Sequence, residues 1–86
     1  MESFEITLES VAPIDLGDLG ADGFEKVLKA CIDRPFTWEQ EPDGCISVAF
    51  RHEATDQARA YGACERIAND LGVGVWTVSV APSGAG

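Results

Sequence analysis

Two periodicities of apolar residues alternate along this chain, and their order is the strongest constraint on its fold. A two-residue period over 3–11 is followed by a 3.6-residue period, two more two-residue stretches, a second helical stretch and a last strand-like stretch. A two-residue period is typical of a strand with one buried face, and a 3.6-residue period indicates an amphipathic helix. The sequence therefore predicts the element order β-α-β-β-α-β.

The apolar alternation predicts four strands and the tight turn that joins two of them. Pro42, Asp43 and Gly44 lie between the second and third strands, where proline presets φ and glycine suits the exit of a turn. The expected strands are Ser3 to Val11, Phe36 to Glu41, Cys45 to Arg51 and Val73 to Ala81.

Each expected helix has a capping residue and a core-facing stripe. Asp22 with Glu25 forms the pattern of a capping box for the first helix, and Thr55 is the expected cap of the second. Pro35 and Gly72 are expected to end them. The stripes are Phe24, Val27, Leu28, Cys31 and Ile32 in the first helix, and Ala60, Tyr61, Cys64, Ile67, Ala68 and Leu71 in the second.

Right-handed crossovers between these elements predict an α+β, ferredoxin-like two-layer sandwich. Its antiparallel sheet has the order 4-1-3-2, with both helices on one face; another α+β packing of the hairpin and helices is the alternative. We expect one domain over 1–81 and a flexible tail over 82–86. The expected core is Phe4, Ile6, Leu8, Val27, Leu28, Ile46, Val48, Phe50, Ile67, Leu71, Trp76 and Val78.

The composition is strongly acidic and disfavours two classes of partner. The 86 residues contain 15 acids and 6 bases, for a net charge of −9. Such a charge disfavours direct binding to nucleic acid or to an anionic membrane, although it also serves solubility alone. No apolar run approaches the ~20 residues of a membrane span. Three cysteines, an odd number without close spacing, favour free thiols and a cytoplasmic location.

No motif for catalysis, a cofactor or a metal is found in the sequence. The third strand shows Ser47, Ala49 and Arg51 on its outward side, where an RNA-recognition domain would carry stacking aromatics. The aspartates of the loop after the first strand do not match a calcium-loop pattern. His52 is expected to be a surface histidine paired with Glu53. We therefore expect a non-enzymatic protein without cofactor or metal.

The outward positions of the expected sheet form the candidate binding surface. Carboxylates gather on this face, which predicts contact with a basic surface of a partner protein. The fourth strand has an edge without charged residues, and such an edge favours strand addition or a homodimer. The candidate residues are Glu5, Glu9, Glu39, Glu41, Val75 and Thr77.

In size, acidity and lack of catalytic residues, the chain resembles the small phage inhibitors of CRISPR or restriction systems. The likeness rests on these general properties and on no motif. It implies a nucleic-acid mimic that occupies the basic nucleic-acid-binding surface of a partner, in a phage or prokaryotic setting. The alternative is an accessory or small-molecule-sensing regulatory domain that dimerises through its sheet, with a ligand at the loop Leu16 to Gly23.

Overall fold

Four antiparallel strands form one sheet, and two helices cover one of its faces. This α+β arrangement is seen in a computed structural model that describes residues 1–83. A 3₁₀ turn, Gly17–Leu19, leads into the first helix. The strands are β1 (Glu2–Ser10), β2 (Phe36–Gln40), β3 (Ile46–Ala54) and β4 (Trp76–Pro82), and the helices are α1 (Gly20–Cys31) and α2 (Gln57–Asp70).

The sheet has the order β2-β3-β1-β4, so that β1 and β3 are central and β2 and β4 form the edges. Read from the β4 edge, the same neighbours give 4-1-3-2. Every pairing is antiparallel, with Ile6 opposite both Phe50 of β3 and Val80 of β4. This topology is compatible with the ferredoxin-like description.

The core lies between the helices and the inward side of the central strands. Phe24 and Leu28 of α1 are fully buried, and the Phe24 ring meets the ring of Trp38 edge-on, with 5.2 Å between centroids. Both helices belong to one continuous core, and the opposite face of the sheet is left uncovered. The buried apolar residues are Phe4, Ile6, Leu8, Phe24, Leu28, Ile32, Ile46, Val48, Phe50, Ala54, Ala60, Cys64, Ala68 and Leu71.

Some expected core residues lie at its margin. Four of them are only half-buried, because they belong to an edge strand or flank the inner line of a helix: Val27, Ile67, Trp76 and Val78. Tyr61 was expected in the buried stripe of α2, but this residue is 44% exposed to solvent. The buried line of α2 runs through Ala60, Cys64 and Ala68, and Tyr61 is rotated about 100° from it by one residue of helix.

Both expected helix caps are wrong, the first by three residues and the second by one. The 3₁₀ turn continues directly into α1 at Gly20, so that Asp22 lies inside the first turn and caps nothing. The cap of α2 is Asp56, whose Oδ1 accepts a hydrogen bond from the Arg59 amide at 2.8 Å. Thr55 stands one residue too early for this contact.

The strand ends also differ from the expected ones. β3 continues three residues beyond Arg51 to Ala54, whereas β4 begins only at Trp76, because the chain turns through Gly72 and Gly74 at positive φ. β4 then includes Pro82, and the Ser83 amide donates to the Ser3 carbonyl at 3.0 Å. The backbone pairing of β4 with β1 thus continues past residue 81, where we expected the tail to begin. The rest of the expected tail, 84–86, lies outside the described residues.

The turn between β2 and β3 forms as expected and anchors the loop after β1. The Gly44 amide donates to the Glu41 carbonyl at 2.9 Å, and Asp43 Oδ1 accepts from the Cys45 amide. Gly44 has a φ of 93°, and a Cβ there would lie 2.9 Å from Cβ of Pro13. Glycine is therefore required both for the turn and for the close approach of the loop.

Candidate functional site

The uncovered face of the sheet carries small and acidic side chains in cross-strand rows. One row joins Glu39, Ser47, Glu9 and Thr77, and so crosses all four strands. Strands are spaced about 4.8 Å apart, which places the backbones of Glu9 and Glu39 roughly 10 Å from each other. We call this set of four residues the acidic row.

The next rows contain fewer carboxylates. Glu5 stands directly opposite Arg51, one of the few bases of the chain. Between this pair and the acidic row, a row of small residues again crosses the whole sheet: Thr37, Ala49, Thr7 and Ser79. The expected cluster of Glu5, Glu9 and Glu39 is thus on one face, but Glu5 is partly balanced by Arg51 and lies about 13 Å along β1 from Glu9.

The predicted residues Thr77 and Glu41 lie at the same end of the sheet as the acidic row. Thr77 is part of the row, and its Oγ1 donates to the Glu9 carbonyl at 3.3 Å. Glu41 is exposed but follows the end of β2, so it belongs to the turn and not to the sheet.

Two exposed valines lie beside the acidic row, and only one of them, Val75, was predicted from the sequence. Val75 was predicted as a binding residue and is 70% exposed, and Val11, 62% exposed, donates its amide to the Val75 carbonyl at 2.8 Å. The signal for Val11 was present, because it continues the outward alternation of Glu5, Thr7 and Glu9. The acidic row is therefore bordered by two exposed valines that touch through their backbones.

A shallow groove of about 330 Å³ opens on the same face between β2 and β3. The groove exists because the side chains of Ser47 and Ala49 are small. They leave the backbone of β3 accessible between the larger side chains around it. Glu39, which belongs to the acidic row, forms part of the groove wall. The groove is lined by Thr37, Trp38, Glu39, Ser47 and Ala49.

A second group of polar residues lies at the opposite end of β3. His52 was expected to pair with Glu53, but the structure pairs it with Arg34, whose Nη1 donates to Nδ1 of His52. Arg34 also donates to Oδ1 of Asp33 at 2.8 Å, and its guanidinium lies over the Phe50 ring, 5.8 Å from the centroid. Sequence reasoning missed this contact because the partners are 18 positions apart.

The electrostatic surroundings of His52 favour its neutral form. Burial lowers the pKa of His52, and the positive charge of Arg34 lowers it further, against a smaller effect of Asp33. A neutral ring with an accepting Nδ1 carries its proton on Nε2. His52 therefore serves as an acceptor that holds Arg34 in place.

Beside this pair lies a cavity of about 510 Å³. Arg34 of the loop after α1 and Arg51 of β3 both line it, so two of the six bases of a strongly acidic chain border one opening. The full lining is Ser3, Arg34, Pro35, Arg51, His52 and Glu53.

The pKa of each of the three thiols is raised. Burial raises the pKa of Cys64 to about 11, and burial also raises the pKa of Cys31. All three cysteines are unpaired with one another. Thiols of raised pKa are poor nucleophiles, because the thiolate is the reactive form.

Within residues 1–83, no three His, Cys, Asp or Glu side chains come together as metal ligands would. Neither helix of this region has the length and apolar character needed to cross a membrane. Comparison of the chain with protein-family models, with curated proteins and with solved structures finds no match.

Proposed function

We propose that this protein is a non-catalytic binding module whose uncovered sheet face engages a basic surface of a partner protein. The observation that carries this proposal is the acidic row, in which Glu9 and Glu39 flank Ser47 on a face that no helix covers. In its most concrete form the protein is an inhibitor or regulator that occupies a basic nucleic-acid-binding surface, with carboxylates in the places of phosphates.

The shape of the face supports contact with long basic side chains. Small residues at Ser47 and Ala49 open the groove beside Glu39, and a lysine or arginine of the partner could extend along it toward the carboxylate. A carboxylate accepts two parallel hydrogen bonds from a guanidinium, which gives such a contact a defined geometry. The exposed pair Val11 and Val75 adds apolar area next to the charges.

The net charge of −9 supports a role for electrostatic steering. Complementary charges raise the association rate more than the affinity, and added salt screens them over a Debye length of about 10 Å at 0.1 M. An interface of this kind should therefore show an on-rate that falls steeply as salt is added.

The test uses a partner recovered from the native host by pull-down and identified by mass spectrometry. Surface plasmon resonance at two salt concentrations then compares the wild type with the double variant Glu5→Lys and Glu9→Lys. The matched control is Glu65→Lys with Asp70→Lys, which makes the same charge change on exposed positions of α2.

We expect the β1 double variant to slow association strongly and the α2 variant to slow it much less. Melting temperatures should stay nearly unchanged, because exposed charges contribute only about 0–1 kcal/mol to folding. Equal on-rates for all three proteins at both salt concentrations would show that the acidic face only aids solubility.

A further inference from the structure

Among the described residues 1–83, no strand neighbours the last part of β3 on its β2 side. β2 begins at Phe36, opposite Phe50, whereas β3 continues for four residues to Ala54. Continuing this register by one residue places Pro35 opposite Arg51, and proline has no N–H with which to extend the ladder. The edge of the sheet therefore has a notch, which we define by residues 51–54 of β3 together with Arg34 and Pro35. It overlaps the cavity of about 510 Å³, whose lining also includes Ser3 of the neighbouring strand β1.

The backbone of Glu53 faces this notch. Successive residues of a strand direct their N–H and C=O groups to alternate sides. The Ile46 amide donates to Oγ of Ser10 on the β1 side, and the Cys45 carbonyl accepts from the Glu41 amide on the β2 side. Odd-numbered residues of β3 therefore point their backbone groups toward β2, and at Glu53 the strand β2 is no longer there to pair with them.

Two arginines lie at the inner end of the notch, where β2 begins. Arg34 is held from three sides, by Asp33, by His52 and by the Phe50 ring, and its side chain retains 29% exposure. Arg51 extends from the position opposite Pro35. A guanidinium held in one orientation binds a carboxylate with little further loss of side-chain entropy.

We propose that the notch binds the C-terminal end of an extended peptide, whose free carboxylate meets Arg34 and Arg51. Such a peptide adds to the sheet as a short strand in line with β2 and antiparallel to β3. In this direction its last residue stands opposite His52, and its carboxylate points toward Pro35 and the arginines. A peptide that ran the other way would bring a positive N terminus to the same arginines.

The register also specifies the penultimate residue of the peptide. That residue stands opposite Glu53 and exchanges backbone hydrogen bonds with it, and its side chain lies on the same face as the Glu53 carboxylate. A lysine or arginine there forms a cross-strand pair of opposite charge. A basic residue before the free carboxylate also reduces the repulsion from a protein of net charge −9.

The test is fluorescence anisotropy with the labelled pentapeptide Gly-Ser-Thr-Lys-Val, compared with the same peptide ending in an amide. The protein variants are Arg34→Gln, Arg51→Gln and the control Arg66→Gln, which removes an exposed charge from α2. Thermal melts verify that each variant is folded, and Arg51→Gln leaves the contact between Arg34 and His52 intact. Amide NMR of the wild type follows which residues respond to the peptide.

We expect the amidated peptide, Arg34→Gln and Arg51→Gln each to weaken binding by about tenfold or more, as for loss of a hydrogen bond to a charged group. Arg66→Gln should weaken it less than threefold, and the Glu53 amide should shift and become protected from exchange. The proposal is overturned if the free peptide fails to bind at millimolar concentration, or if the amide binds as well as the acid. Equal effects of Arg34→Gln and Arg66→Gln would also overturn it, since only general charge would then matter.

Discussion

Arg34 donates a hydrogen bond to Nδ1 of His52, and this contact joins the loop after α1 to the far end of β3. Both partners are partly buried, and the bond requires a neutral imidazole, because a protonated ring has no acceptor. The same contact positions the guanidinium at the notch. One hydrogen bond thus connects the packing of the fold, the protonation of the only histidine and the shape of a candidate binding site.

The first prediction concerns the pH dependence of stability. Because the folded state lowers the pKa of His52 from its usual 6.5, the unfolded chain takes up the proton first as the pH falls. The neutral histidine therefore supports folding above about pH 6.5, and this contribution declines from there down to the lower pKa of the folded state. Urea unfolding from pH 8 to pH 5 should show stability decreasing with acidity in this window.

The matched variant is His52→Gln, whose side-chain carbonyl can still accept a hydrogen bond from Arg34. We expect a flatter pH dependence than in the wild type between pH 8 and pH 5. An identical slope for the two proteins would contradict the assignment of a lowered pKa to His52.

The second prediction tests the core. Leu28 of α1 is fully buried, so Leu28→Ala should lower the free energy of unfolding by about 2–5 kcal/mol through lost burial and the cavity that remains. Leu19→Ala removes the same atoms from a side chain that is 42% exposed and should cost much less. Chemical denaturation of both variants measures the difference, and similar losses at the two sites would contradict the observed packing of α1.

The third prediction distinguishes the observed cap of α2 from the one expected from sequence. Asp56→Ala removes the acceptor of the Arg59 amide and should destabilise the protein by about 0.5–2 kcal/mol. Thr55→Ala changes a neighbouring exposed residue and should stay within about 0.5 kcal/mol. A larger loss at Thr55 than at Asp56, measured by thermal or urea unfolding, would show that the helix begins one residue earlier.

The fourth prediction concerns self-association through the β4 edge. This edge carries Thr77 and Ser79 on the uncovered face and no charged residue, whereas β2 at the other edge carries Glu39. Lysine is a common means of blocking strand addition, so Thr77→Lys should shift any dimer toward monomer. Thr37→Lys, the same change on β2, should have little effect.

Light scattering over a range of concentrations measures both variants and the wild type. A wild type that remains monomeric at the highest concentration would refute association through β4. So would a Thr37→Lys variant that dissociates as readily as Thr77→Lys.

Local pattern in the sequence determined the number and order of the elements and the inward side of each strand. Alternation sufficed for Phe4, Ile6 and Leu8, because the two sides of a strand differ in every second residue. The positions of Glu5, Glu9, Glu39 and Thr77 on one face follow from the same rule. The turn at Gly44 could also be predicted, since its backbone conformation depends on a few adjacent residues.

Tertiary structure alone decided the contacts between distant segments. Whether Glu9 and Glu39 share a row depends on the register of three strands, and the cap of α2 depends on where β3 ends. The pairing of Arg34 with His52 and the notch beside it arise because β3 extends beyond the start of β2. No local preference of the sequence specifies this difference in strand length. Such features follow from the packing of whole elements against one another, and that packing is a property of the complete chain.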